Sequence, residues 1–192
     1  MIFERASLTS LGDCAMAAWR MAFRDGKQGG ELWPDCKRLG VAAIQYGPAD
    51  GIDFALHAEG EPKEVYRRLA PAQRDSLKRF VYRMSESESD VIYVKQGPMI
   101  VGKGIVDGPY QFDHKNRLRG PKGAFWQHQR PVRWLPDFAP VRIQLGQQQA
   151  ITVVPLDEND VRRVEPVGGQ ESDRIADQIN SQYSSPGTGF AT

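Results

Sequence analysis

The chain predicts an α+β fold: a small curved β-barrel of about five or six strands flanked by two to four helices. Three observations predict it. Segments with strand character outnumber those with helical spacing. The strands are short and carry Gly102, Gly104 and Gly108, where tight curvature or close backbone approach is needed. One stretch sets Leu77, Phe80, Val81 and Met84 at i, i+3, i+4 and i+7, the apolar face of a helix lying on a core.

Residues 1–16 form a lead-in. Trp19-Arg20-Met21-Ala22-Phe23 alternates large apolar residues with others, as a half-buried strand does, and Arg24–Gly30 (RDGKQGG) follows as a loop. Leu32, Cys36 and Leu39 fall near helical spacing, with Gly40 as the stop. The run GVAAIQY (40–46) reads as a buried strand ended by Gly47-Pro48. Glu61–Leu69 suits a helix with Pro62 in its first turn, and a second helix of about a dozen residues follows Pro71. The clearest strand pair is VIYVKQGPMIVGKGIVDGPYQFD (91–113), turning at Gln96-Gly97-Pro98. Further strands are expected at 132–135, 141–145 and 151–154, and Asp157–Asp160 as a solvated turn before a last element. From Gly168 the composition turns to Gly, Gln, Ser, Asp and Pro, a linker or tail over 168–192.

Composition narrows the function classes. With 25 Lys and Arg against 24 Asp and Glu, the formal charge is +1. No apolar run approaches the roughly 20 residues that span a bilayer. The N-terminal segment lacks the pattern of a secretion signal, so an intracellular, cytoplasmic protein with no membrane partner is expected. Cys14 and Cys36 make no disulfide framework, and Cys36 reads as a buried free thiol. His57, His114 and His128 show no metal-ligand spacing, so neither a metal nor a cofactor is expected.

Against this neutral background one stretch stands apart. His114–Trp134 reads HKNRLRGPKGAFWQHQRPVRW, with six Lys or Arg, no acid, and Phe125, Trp126 and Trp134 interleaved. Cations there can neutralise phosphates, and aromatic faces can stack on an exposed base. Nucleic acid is therefore the expected partner. A solvated loop whose aromatics belong to the core is the alternative, and for Trp134 it is the better one.

The order Trp19-Arg20-Met21-Ala22, Trp33, GVAAIQY, VIYVKQGPMIVGKGIVDGPYQFD and HQRPVRWL (128–135) resembles the EVE-type domains of the PUA superfamily, which are related to the YTH readers of methylated adenine. It is most similar to the version in McrB-like and other modification-dependent restriction proteins, and covers roughly residues 17–165 by pattern, within a domain expected over 17–167. The resemblance implies a PUA-like barrel whose aromatic pocket accepts one flipped, modified base. It further implies double-stranded DNA carrying 5-methylcytosine or 5-hydroxymethylcytosine as partner, with cleavage left to a fused or associated nuclease or NTPase domain. A reader of N6-methyladenine in DNA, or of modified RNA, is the alternative.

The chemistry agrees with such a pocket. Unstacking a base costs a few kcal/mol, and aromatic stacking recovers roughly 1–3 kcal/mol per base. Tyr46, where such relatives commonly carry Trp, is the first candidate wall; the alternative is a core tyrosine. Tyr110 and Phe112 share one strand face, and Trp126 sits where it could close over a base like a lid. Trp19, Trp33 and Trp134 lie in regular elements and read as core, with Trp33 retained as a further pocket candidate. Arg24, Lys27, Lys95, Lys103, Lys115, Arg117, Arg119, Lys122 and Arg130 are the candidate backbone contacts. Catalysis is not expected: Asp50 with Glu61-Pro62-Lys63 only superficially resembles a nuclease motif, and no phosphate loop or nucleophile elbow occurs.

Overall fold

The computed structural model describes residues 16–23, 32–87, 89–143 and 152–165. Its elements are β1 (Ala18–Met21), α1 (Trp33–Leu39), β2 (Val41–Ile44), α2 (Lys63–Arg68), α3 (Pro71–Lys78), β3 (Val91–Gln96), β4 (Met99–Val106), β5 (Gln111–Phe112), β6 (His128–Trp134), β7 (Val141–Arg142), β8 (Val153–Leu156) and α4 (Glu158–Val164). The strands form one mixed sheet in the order β2-β6-β4-β3-β1-β8, with β5 added to β6 and β7 to β4. Only β1 and β3 run parallel among these pairs.

The curl of the sheet comes from β6. Its first half pairs with β2, from Ile44↔His128 to Val41↔Pro131. Its second half pairs with β4, from Val106↔Val132 to Gly104↔Trp134. One strand thus turns between two partners, and the sheet wraps into a half-barrel. The α+β class, the curvature and the four flanking helices are as expected, and the expected barrel is corrected in closure. Among the described residues β2 and β8 end the path without pairing with each other; six strands lie on the path, and the short β5 and β7 add to it.

The glycines in β4 are required by what lies against them. A Cβ at Gly102 would sit 2.4 Å from the Trp33 ring, and one at Gly104 2.4 Å from the Trp134 ring. Trp33 and Trp134 meet edge to face at 4.6 Å, and Phe23 stacks on Trp33 at 6.1 Å. Here bare backbone makes room for tryptophan.

Helix positions follow the sequence with small corrections. α1 stops at Gly40, whose φ of 66° is left-handed, as the stop signal requires. α2 begins at Lys63 with Pro62 as an extended N-cap, one step outside the expected first turn. α3 continues as a π-helical turn over Arg79–Arg83, and together they supply the expected dozen residues. Leu77, Phe80, Val81 and Met84 are all buried on its inner face. The final element is a helix, capped by Asp157, which accepts from the Asp160 N–H at 2.8 Å. Strand β6 starts four residues earlier than expected, and β8 is shifted by two.

A buried carboxylate ties the start of β1 to the segment that follows the π-helical turn. Asp90 accepts from the Ala17 N–H (3.0 Å), the Trp19 indole (2.7 Å) and the Ser85 N–H (3.0 Å). Three donors satisfy a charge that would otherwise be costly to bury. The main core then fills the space between the sheet and α1–α3. A smaller cluster of Val91, Tyr93, Ile100, Ile143 and Val164 covers the opposite side of β3.

Candidate nucleic-acid interface

The basic stretch folds as a hydrogen-bonded extension of the β5–β6 hairpin. Rungs join Asp113 N–H to Gln127 O (2.8 Å), Trp126 N–H to Leu118 O (2.9 Å) and Gly120 N–H to Ala124 O (2.8 Å). Gly123, at φ 88°, makes the tight return that a side chain would resist. Leu118 and Trp126 point inward and anchor the extension in the main core.

Asp113 organises its root. The buried carboxylate accepts from Lys115 N–H (3.2 Å), Arg117 N–H (2.8 Å), Arg117 Nε (3.1 Å) and Gln129 Nε2 (3.3 Å). Burial alone would raise its pKa, but the hydrogen bonds and charge of Arg117, with the Lys115 N–H, hold it below the ordinary aspartate range. Around this anchor Lys115, Arg117, Arg119 and Lys122 are exposed to solvent. Arg119 folds back along the hairpin, donating from Nε to Gly123 O (3.2 Å), with its guanidinium 5.5 Å from the Phe125 ring centre.

An aromatic cluster adjoins the root. Tyr110 stacks on the His128 ring at 6.1 Å, and Phe112 meets the same ring at 5.7 Å and His114 at 4.8 Å. The Phe54 N–H donates to the Tyr110 hydroxyl (3.4 Å), which lies 2.9 Å from His128 Nδ1; His128 Nε2 lies 3.2 Å from Ala49 O. Because a carbonyl only accepts, Nε2 carries the proton and Nδ1 accepts from Tyr110, the pattern of a neutral imidazole. Burial lowers the His128 pKa to about 4, against a smaller upward pull from Ala49 O and Asp53.

A neutral imidazole at this depth makes stability depend on pH. The folded value lies below the unfolded value of 6.5, so the contribution is complete above pH 6.5 and is lost as pH falls toward 4. The difference of 6.5 − 4 = 2.5 corresponds to about 3 kcal/mol. Urea unfolding at pH 7 and pH 4.5 should show a loss about 2–3 kcal/mol smaller in His128→Gln than in the parent. An identical pH response in both proteins would contradict a buried neutral imidazole.

Of the nominated pocket walls, Tyr110 and Phe112 come together, half-buried around His128. Tyr46, Trp126 and Trp33 do not join them. Tyr46 is 7% exposed within the main core, where burial pushes its phenol pKa up. Trp126 is 4% exposed and turned inward, so it anchors the hairpin and does not form a lid. Trp33 is packed against Gly102, Phe23 and Trp134.

The nominated cations divide as well. Arg130 is corrected from a surface contact to a core tie: it is 3% exposed and donates to Phe80 O (2.6 Å), Val81 O (2.9 Å) and Gly108 O (3.3 Å). Burial lowers its pKa, opposed by Glu86 and Asp90. Lys103 is bound to Glu165 and lies 5.7 Å from the Tyr93 ring centre, in the cluster on the far side of β3. Lys95 follows a register shift in β3, and its pKa is lowered by burial and by Arg20. Neither belongs to the hairpin. Arg24 and Lys27 lie outside the described residues, as do the lead-in to residue 15, Cys14 and the 168–192 segment. Cys36 is a buried free thiol, as expected.

Asp50 and Glu61 are engaged locally. Gln45 donates to Asp50 (3.0 Å), and Glu61 accepts from the Lys63 N–H (3.0 Å). Sequence alone did not single out Asp113 or His128 for these roles. The signal for Asp113 was an aspartate directly before an acid-free basic run, placed to accept from N–H groups two and four residues on. His128 offered none, because its partners Ala49 and Tyr110 are distant in sequence.

Residues 19–154 match a family model described as "Domain of unknown function (DUF8426)". No curated protein matches the chain. The family match begins in β1, ends in β8 and takes in the whole basic hairpin and its aromatic neighbours. It covers well over half of the sequence, and the chain therefore belongs to the DUF8426 family.

Proposed function

We propose that this domain binds nucleic acid through the Asp113–Gln127 hairpin and, more specifically, that it reads a modified cytosine in DNA. One observation carries the proposal: Lys115, Arg117, Arg119 and Lys122 are exposed on a short extension whose root and inner face are fixed by Asp113, Leu118 and Trp126. Cations displayed on a rigid scaffold can contact successive phosphates without a large ordering cost. The sequence resemblance to EVE-type domains supports the modified-base reading. Tyr110 and Phe112, beside the hairpin root, are the aromatic residues assigned to the base. No catalytic role is assigned to any residue.

The test is equilibrium binding at fixed near-physiological salt to matched duplexes carrying cytosine, 5-methylcytosine, 5-hydroxymethylcytosine or N6-methyladenine. The expected result is a preference for one modified cytosine of roughly 5- to 150-fold, the range that a methyl-sized niche provides. Equal affinity for all four would overturn modified-base reading while leaving nucleic-acid binding in place. A preference for N6-methyladenine, or for matched RNA, would move the assignment to YTH-like recognition.

A further inference from the structure

Only three large apolar side chains are exposed among the described residues, and Phe125 is the one aromatic. It is 39% exposed, opposite Arg119 across the hairpin in an isolated bridge. A single exposed phenylalanine is ordinary on a protein surface. This one has a guanidinium held beside it: Arg119 Nε is hydrogen-bonded to Gly123 O, and its carbon centre lies 5.5 Å from the ring centre. The backbone beneath is closed by the Gly120–Ala124 and Gly123–Gly120 hydrogen bonds, both 2.8 Å. The platform is therefore ordered before any ligand arrives.

From this geometry we infer that Phe125 and Arg119 form a stacking platform for an unpaired base, so that the hairpin favours nucleic acid with single-stranded or unstacked nucleotides over an intact duplex. The inference rests on the nucleic-acid reading proposed above. An aromatic ring and a guanidinium plane both accept the π face of any base, whatever its sequence, and the π face is reachable only when the base has left its stack. Exposed Lys115 and Lys122 on the same extension supply charge for the adjoining phosphates. Trp126, the neighbour that sequence alone favoured, faces the core and leaves this role to Phe125.

The test compares Phe125→Ala, Phe125→Trp and the parent protein by fluorescence anisotropy, with a labelled single-stranded oligonucleotide and its blunt duplex at one salt concentration. Phe125→Ala is expected to weaken single-strand binding about 5- to 150-fold, the loss associated with one stacked base. It should change duplex binding less than about twofold, and Phe125→Trp should restore single-strand affinity. Unchanged single-strand binding in Phe125→Ala, or equal losses on both ligands, would overturn the platform even with binding intact. Absence of binding to either ligand by the parent protein would instead overturn the nucleic-acid reading itself.

Discussion

Replacing Arg130 with methionine is expected to destabilise the fold by about 3–5 kcal/mol, the cost of leaving three backbone carbonyls at a buried site without their charged donor. Methionine occupies similar volume but donates nothing. The carbonyls of Phe80, Val81 and Gly108 would lose a donor, and Glu86, 3.6 Å from the guanidinium, would lose its counter-charge. Phe80 and Val81 lie in the π-helical continuation of α3, so the loss should loosen that turn from β6. Arg130→Lys should recover only part of the stability, because one ammonium cannot reproduce the guanidinium fork. Urea denaturation checks both variants. A change within about 0.5 kcal/mol, the range of an ordinary surface substitution, would contradict the assignment.

Replacing Asp113 with alanine is expected to cost about 2–4 kcal/mol and to loosen the hairpin before the rest of the domain. The variant removes the acceptor for the Lys115 and Arg117 N–H groups, the Arg117 side chain and buried Gln129. Amide exchange should accelerate at Lys115 and Arg117 while β3 and β4 stay protected. Asp113→Asn, which keeps one acceptor oxygen, should fall between. The depressed carboxyl adds a pH signature: its contribution is present above the unfolded aspartate pKa and is lost as pH falls through the folded value. Uniform acceleration across the domain would show instead that Asp113 supports the whole fold and not the hairpin root.

Local signals made much of the fold legible. Gly40 marked the end of α1, the i, i+3, i+4, i+7 spacing marked the buried face of α3, and Gly102 and Gly104 marked close approach in β4. Closure was not legible, because it depends on how β6 divides its pairing between β2 and β4, a long-range register that no local pattern encodes. The basic hairpin was legible in charge but not in side-chain orientation. Trp126 and Phe125 are adjacent in sequence and point to opposite fates, one into the core and one to solvent. Arg130 looks like another cation of the basic run, yet its strand position turns it under α3 to meet Phe80 O and Val81 O. Tyr46 carried the same ambiguity at the end of a buried strand, and the core claims it.

Whether the hairpin meets phosphates is read from the salt dependence of binding to one nucleic acid, measured for the parent protein and for Lys115→Gln/Arg119→Gln. For the parent protein log K should fall steeply with log salt. In the double variant the slope should flatten by about 1.8 on duplex DNA, or about 0.9 for each phosphate no longer neutralised. An unchanged slope with unchanged affinity would show that the hairpin does not face the ligand and would overturn its role in nucleic-acid binding.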